Sequence, residues 1–252
     1  MCFSASASFG LGAVCVTVGV ATLQRAREPD LMIAALPLLL GAHQMIEGVV
    51  WVTHAQGLGF VAAYAFIIVA VCFWPLYLPL AVWLSETDPR RRRIIVVLGA
   101  AGLFLDANAA ITLAQGVDVD FASHHIAYEL RAPRLIVFDY IYLGCAVAPL
   151  FVHSSAYMMA FGVLALLFFA LSVVYFTPAR YSVWCFFGAL SSAIVWFFVT
   201  SRGAVRAGQT RRPETRFLFR AMQFAGPVRR ESNEHAIAAH ATRANREGAR
   251  TR

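Results

Sequence analysis

The polarity of this chain varies with a long period. Apolar stretches alternate with short connections that carry most of the charge, and seven stretches can be marked, at about 7–24, 31–53, 60–85, 94–115, 135–153, 156–177 and 181–201. A helix rises about 1.5 Å per residue, so each stretch is long enough to span roughly 30 Å of hydrocarbon. A spanning segment must satisfy its own backbone hydrogen bonds, and a helix does so. The pattern therefore predicts an all-α, polytopic seven-transmembrane-helix bundle over residues 1–201, with residues 202–252 as a separate tail.

The second stretch breaks its own pattern. LMIAALPLLLGAHQMIEGVVWVTH, residues 31–54, carries His43, Gln44, Glu47 and His54 within an otherwise apolar run. At about 100° per residue, His43, Glu47, Trp51 and His54 fall in one quadrant of a helix with Gln44 at its border. An ionisable side chain at bilayer depth is costly unless it faces protein interior, so this face predicts one wall of a polar site centred on Glu47. Two further features are architectural. Gly12, Cys15, Gly19 and Thr22 form a small-residue seam on the first helix. Pro75 and Pro79 each remove a backbone donor from the third, so the carbonyls they free need other partners.

Composition agrees with the pattern. Hydrophobic residues make up 60% of the chain and charged residues 14%, against about 25% charged in a soluble domain. There is no lysine, which excludes a retinal Schiff base, and the 21 basic residues are all arginine. With the N-terminus outside, the inner segments hold Arg25, Arg27, Arg90 to Arg93 and twelve arginines from Arg202 onward. The outer segments hold Arg131, Arg134 and Arg180. That imbalance predicts an external N-terminus and a cytoplasmic C-terminus. The first stretch has no preceding basic residue and is not a cleavable signal. Twelve arginines against Glu214, Glu231, Glu234 and Glu247 give the tail a local charge of +8, so its expected partner is the anionic headgroup surface of the bilayer, with no nucleic acid expected. An interfacial amphipathic helix is predicted near 215–226, followed by a disordered end.

Other polar residues extend the predicted site. The fifth stretch opens with FDYIY and the seventh with RYSVWCFF. They place Asp139, Tyr140, Tyr181 and Cys185 near the outer side, where they join His43, Gln44, Glu47 and Trp51 as expected ligand-binding residues around an outward-opening cavity. The loop from 116 to 134 contains Asp118, Asp120, His124, His125 and Glu129. A solvated polar loop is the expected reading, because no tight ligand spacing is present. A metal site is the alternative, with His43, Glu47, His54, His124 and His125 as its ligands. Cys15, Cys72 and Cys145 read as small buried hydrophobes. Cys2 and Cys185 lie near the outer face, where a disulfide is chemically allowed, and either is a weak nucleophile candidate for a hydrolase with His54 or His124 as base.

The segments MCFSASASF, EGVVW, FWPLYLPL, HHIAY and SVWCFF together resemble an uncharacterised family of bacterial seven-helix membrane proteins, a domain of unknown function, over residues 1–201. The matching positions are Cys2, Phe3, Ser4, Ala5, Glu47, Trp51, Trp74, Pro75, Tyr128, Trp184 and Cys185. The resemblance implies a shared fold and a bacterial inner-membrane location, and it implies no activity or cofactor. Three function classes follow. The first is a small-ligand or ion-binding membrane protein with a sensory or binding role; a Cys-dependent hydrolase and a transporter are the alternatives. The inverted repeats that point to transporters are not visible. The paired histidines that seven-helix metal-dependent lipid hydrolases carry on the last helix are missing from residues 181–201.

Overall fold

The computed structural model describes residues 4–121, 125–131 and 136–210, with side chains undescribed at 136 and 204–210. The chain divides into a first unit, Met1–Gly203, and a second, Ala204–Arg252. The expected interfacial helix near 215–226 lies outside the described residues.

The described residues are overwhelmingly helical. Helix α1 (Ala5–Arg25) is capped by Ser4, whose side chain accepts from the Ala7 N–H. A 3-10 turn, Glu28–Asp30, leads into the short α2 (Leu31–Ala34) and then α3 (Leu36–Thr53). The break falls where Pro37 has no N–H to return to the Ile33 carbonyl. Thr22 of α1 donates to the Ala34 carbonyl beside it, at 2.7 Å. Helix α4 (Leu58–Ile68) runs through a π segment, Val69–Phe73, into α5 (Trp74–Ser85). Helix α6 (Pro89–Ala114) is capped by Asp88, which accepts from Arg90 and Arg91. After a hairpin come α7 (Ile136–Val152), α8 (Ala156–Tyr175), α9 (Arg180–Ser191) and α10 (Ile194–Thr210).

Among the described residues six helical segments are long and apolar enough to cross a membrane, while Val137–Val152 is shorter. The outer surface suits lipid: Leu58, Val97, Leu103, Phe104 and Val174 are all more than 60% exposed.

The seam of small residues positions the helix that carries the polar site. The buried face of α1 is Ser8, Gly12, Cys15, Gly19 and Thr22. It packs on α3 so closely that a methyl added at Gly19 would stand 2.5 Å from the Leu38 Cα, and one at Gly41 would stand 2.7 Å from the Val16 N. Phe9 fills the space beside Gly48.

The double-proline stretch departs from a simple bend. The turn widens into the π segment just before Trp74–Pro75, and side chains take up two nearby carbonyls. Tyr142 of α7 donates to Ala70 O at 2.5 Å, and His43 Nε2 donates to Phe66 O at 2.9 Å. Gly102 of α6 lets that helix approach the Pro75 carbonyl.

The loop after α6 is more ordered than a solvated connection. Strands β1 (Val117–Asp120) and β2 (Ala127–Leu130) pair antiparallel, with Val119 opposite Tyr128 and Asp118 opposite Glu129. In VDVD and AYEL one face, Val117, Val119, Tyr128 and Leu130, turns inward, and with Ile126 it packs in one cluster with Phe66, Ile67 and Cys185. Arg131 offsets the facing carboxylates by pairing with Asp118, with Nε at 2.9 Å, which holds the Asp118 carboxyl below its usual range.

Candidate functional site

The polar face of α3 points into the bundle. His43, Gln44 and Glu47 are each 1% exposed or less, which for this triad in a membrane-spanning helix demands partners. Four other elements close over them. Helix α4 supplies Phe66, whose ring stacks on His43 at 4.2 Å, and β2 supplies Tyr128, which stacks on the other side of Phe66 at 4.8 Å. Helix α5 brings Trp74 to 6.2 Å from the His43 ring, and α9 contributes Ser182 and Cys185. Ser182 and Gln44 lie beside the Glu47 carboxyl. Tyr128 and Cys185 are its neighbours through space. Burial, with Glu47 and Cys185 nearby, pushes the Tyr128 phenol well above its usual range, so it remains a hydroxyl.

Six buried polar atoms here have no hydrogen-bond partner among the described residues: His43 Nδ1, Gln44 Nε2 and Oε1, Glu47 Oε1, Trp74 Nε1 and Tyr128 Oη. Their chemistry is mixed. The His43 Nε2 proton goes to Phe66 O, so Nδ1 of the neutral ring is an acceptor, as are Gln44 Oε1 and Glu47 Oε1. Gln44 Nε2, Trp74 Nε1 and Tyr128 Oη are donors. Among the described residues no cation pairs with Glu47.

Other predicted residues lie elsewhere. Trp51 is half-buried against Phe121 at 6.0 Å, and His54, exposed and at φ 49°, leans on the same ring. Asp139, Tyr140 and Tyr181 line a separate groove of about 200 Å³ between α7, α8 and α9, together with Arg180. Cys185 borders an apolar cavity of about 60 Å³ that also touches Trp74, Leu40 and Tyr142. His125 packs on Phe176 at 5.0 Å, whereas Cys2 and His124 lie outside the described residues. Among the described residues no three His, Cys, Asp or Glu side chains gather as a metal site. Cys185 is a free thiol. Neither that groove nor the apolar cavity is lined by His43, Gln44 or Glu47.

Sequence reasoning set Ser182 beside the face of Tyr181 and Cys185 without giving it a role, and it missed the inward N–H of Trp74 and the burial of Tyr128. The alternation in AYEL was the available signal for the last.

A second polar cluster, at the opposite end of the bundle from the hairpin, brings a serine, a histidine and an aspartate together. Its proton directions are wrong for a nucleophile. Ser155 N–H donates to His153 Nδ1 at 2.9 Å, so the ring proton is on Nε2 and donates to Ser85 Oγ at 3.2 Å. The Ser85 hydroxyl donates onward to Asp30 Oδ1 at 2.6 Å, and Arg202 stands 3.8 Å from that carboxylate. A base must accept the hydroxyl proton, and His153 does not. The cluster ties the ends of α2, α5, α7 and α10. Glu86 adds to it: burial acts to raise its pKa, but N–H donors from Asp88, Ser154 and Thr87 outweigh that and hold it below the usual carboxylate range.

The model of the family described as "Family of unknown function (DUF6629)" matches residues 1–211. The chain belongs to that family. No curated protein and no solved structure matches it.

Proposed function

We propose that this DUF6629 member is a seven-helix inner-membrane protein, N-terminus outside, that binds a small ligand or ion at Glu47 beneath the β-hairpin. Its arginine-rich tail rests on anionic headgroups of the inner leaflet. The observation that carries the reading is the convergence of six unpartnered polar atoms from three elements distant in sequence: α3, α5 and β2. The occupant is neutral or cationic, because the site offers one carboxyl and no paired cation to receive an anion. It is also small, since His43, Gln44 and Glu47 are each 1% exposed or less. Tyr128 is the cover: 3% exposed, it separates Phe66 and His43 from the hairpin side.

The test compares the full-length protein with Glu47→Gln in mild detergent, by native mass spectrometry and by thermal melting against ammonium, sodium, magnesium, zinc and small amides. The wild type is expected to retain mass or to be stabilised by one of these, and Glu47→Gln to lose that response while still melting cooperatively. A wild type that neither retains mass nor shifts with any of these compounds overturns the proposal. A variant that fails to fold at all assigns Glu47 to structure.

A further inference from the structure

The groove between α7, α8 and α9 stands apart from the Glu47 site, and its lining is graded. At one end are Asp139, Arg180 and Tyr181, and at the other Phe169 and Val173 of α8. Phe169 lies eight residues before Thr177, which is about 12 Å along a helix. The groove therefore passes from charge to hydrocarbon over roughly the depth at which a phospholipid does the same. Its polar end is the hairpin end of the bundle, since β2 packs on α9 and on the turn that precedes it.

Arg180 is the unusual residue. It is half-buried, and no carboxylate lies within 4.0 Å of it among the described residues. Its hydrogen bonds are long, 3.3 Å to the Thr177 carbonyl and 3.4 Å to the Tyr181 hydroxyl, and its guanidinium sits over the Tyr181 ring at 4.8 Å. A guanidinium fork held on an aromatic face suits a phosphate oxygen. At the edge of a bilayer the abundant anion is the lipid phosphate. Val173, 38% exposed, opens the lower end of the groove to the surrounding hydrocarbon.

We propose that this groove is a phospholipid site. The lipid phosphate sits on Arg180, its glycerol region lies against Tyr181 and Trp184, and one acyl chain runs down Phe169 and Val173. Phosphatidylethanolamine, a two-chain lipid with a single phosphate, is the probe.

The experiment titrates phosphatidylethanolamine into the delipidated full-length protein and follows adducts by native mass spectrometry, with and without excess inorganic phosphate. The wild type is expected to hold one lipid that resists activation and is not displaced by phosphate. Arg180→Gln should weaken retention about tenfold, the scale of one lost charged hydrogen bond. Val173→Trp, at a lipid-facing position, should fill the groove and remove the adduct, which keeps the test open if Arg180→Gln does not fold. Equal retention by a folded Arg180→Gln, equal retention by Val173→Trp, or displacement by inorganic phosphate overturns the proposal. The first two would indicate unspecific boundary lipid and the last a free-anion site.

Discussion

Replacing Gly19 with alanine tests whether the α1–α3 seam sets the position of the polar helix. The added methyl would stand 2.5 Å from the Leu38 Cα, a backbone atom that cannot rotate away, whereas ordinary contact begins at 3.4 Å. The two helices must therefore part by about 1 Å. Overpacking of this kind costs about 1–3 kcal/mol, and a gap of that width forfeits roughly a quarter to a half of each dispersion contact along the seam. The expected loss is about 3 kcal/mol. Gly10, on the same helix, supplies the control, because nothing lies within 4 Å of a methyl there. Gly10→Ala should stabilise by roughly 0.4–1 kcal/mol through helix propensity and reduced chain entropy. Thermal melting of both variants in one detergent should separate them by on the order of 10 °C, with Gly10→Ala the higher. Equal midpoints, or a higher midpoint for Gly19→Ala, would refute the close-contact argument.

Other perturbations read other parts of the molecule. Tyr142→Phe removes the donor that holds Ala70 O at 2.5 Å and should cost about 1–3 kcal/mol in the same melting assay, because the carbonyl is left unsatisfied; an unchanged midpoint would mean that the π segment finds another partner. Tyr128→Ala removes a ring that is 3% exposed and should raise maleimide labelling of Cys185 at least about tenfold relative to Cys15 in the same molecules, as local opening of about 1.4 kcal/mol would do. Unchanged labelling would show that the hairpin does not cover the site. Glu86 is held below its ordinary pKa, so it contributes stability above the ordinary glutamate range, and that contribution is lost as pH falls through the folded value. Glu86→Gln should therefore show a shallower acid limb than wild type in melting midpoint against pH, and parallel curves would contradict the assignment.

Much of the architecture was legible because a bilayer imposes length and polarity together. The seam Gly12, Cys15, Gly19 and Thr22 is the buried face of α1. The polar face of α3 is buried at His43, Gln44 and Glu47. It stops being so at Trp51 and His54, because a projection down one helix says nothing about where the neighbouring helices end. The hairpin was harder to see: four-residue strands leave a weak alternation, and the acidic residues of VDVD dominate its apparent polarity. Tyr128 is buried through a contact with Phe66 sixty-two positions earlier, which no local pattern encodes. Asp139 and Tyr181 were expected beside Glu47 because all three are polar and near one end. Asp139 lines a groove that holds none of the three α3 residues, whereas Tyr181 lines that groove and also packs in the cluster of Phe66, Tyr128 and Cys185.

The case for Glu47 as a site rests on how this protein treats its other buried polar groups. It pairs many of them with backbone carbonyls. Thr22 donates to Ala34 O, Tyr77 to Met32 O, Tyr142 to Ala70 O, Trp184 to Ala165 O and Cys15 to Ala189 O. These are struts, and each joins two helices or closes a weakened turn. His43 is half a strut, with Nε2 on Phe66 O and Nδ1 on nothing among the described residues. Around it such pairing lapses for Gln44, Glu47, Trp74 and Tyr128 together. An unmet buried polar atom costs about 1–3 kcal/mol, so six of them would consume a sum comparable with the roughly 5–15 kcal/mol by which a whole domain is stable. A bundle that satisfies Thr22 and Tyr142 with single, well-aimed bonds has the means to pack leucine at 44 and 47 instead. On the proposal made above, something other than the protein meets the remaining atoms, and the balance of three acceptors against three donors describes what that partner would offer in return.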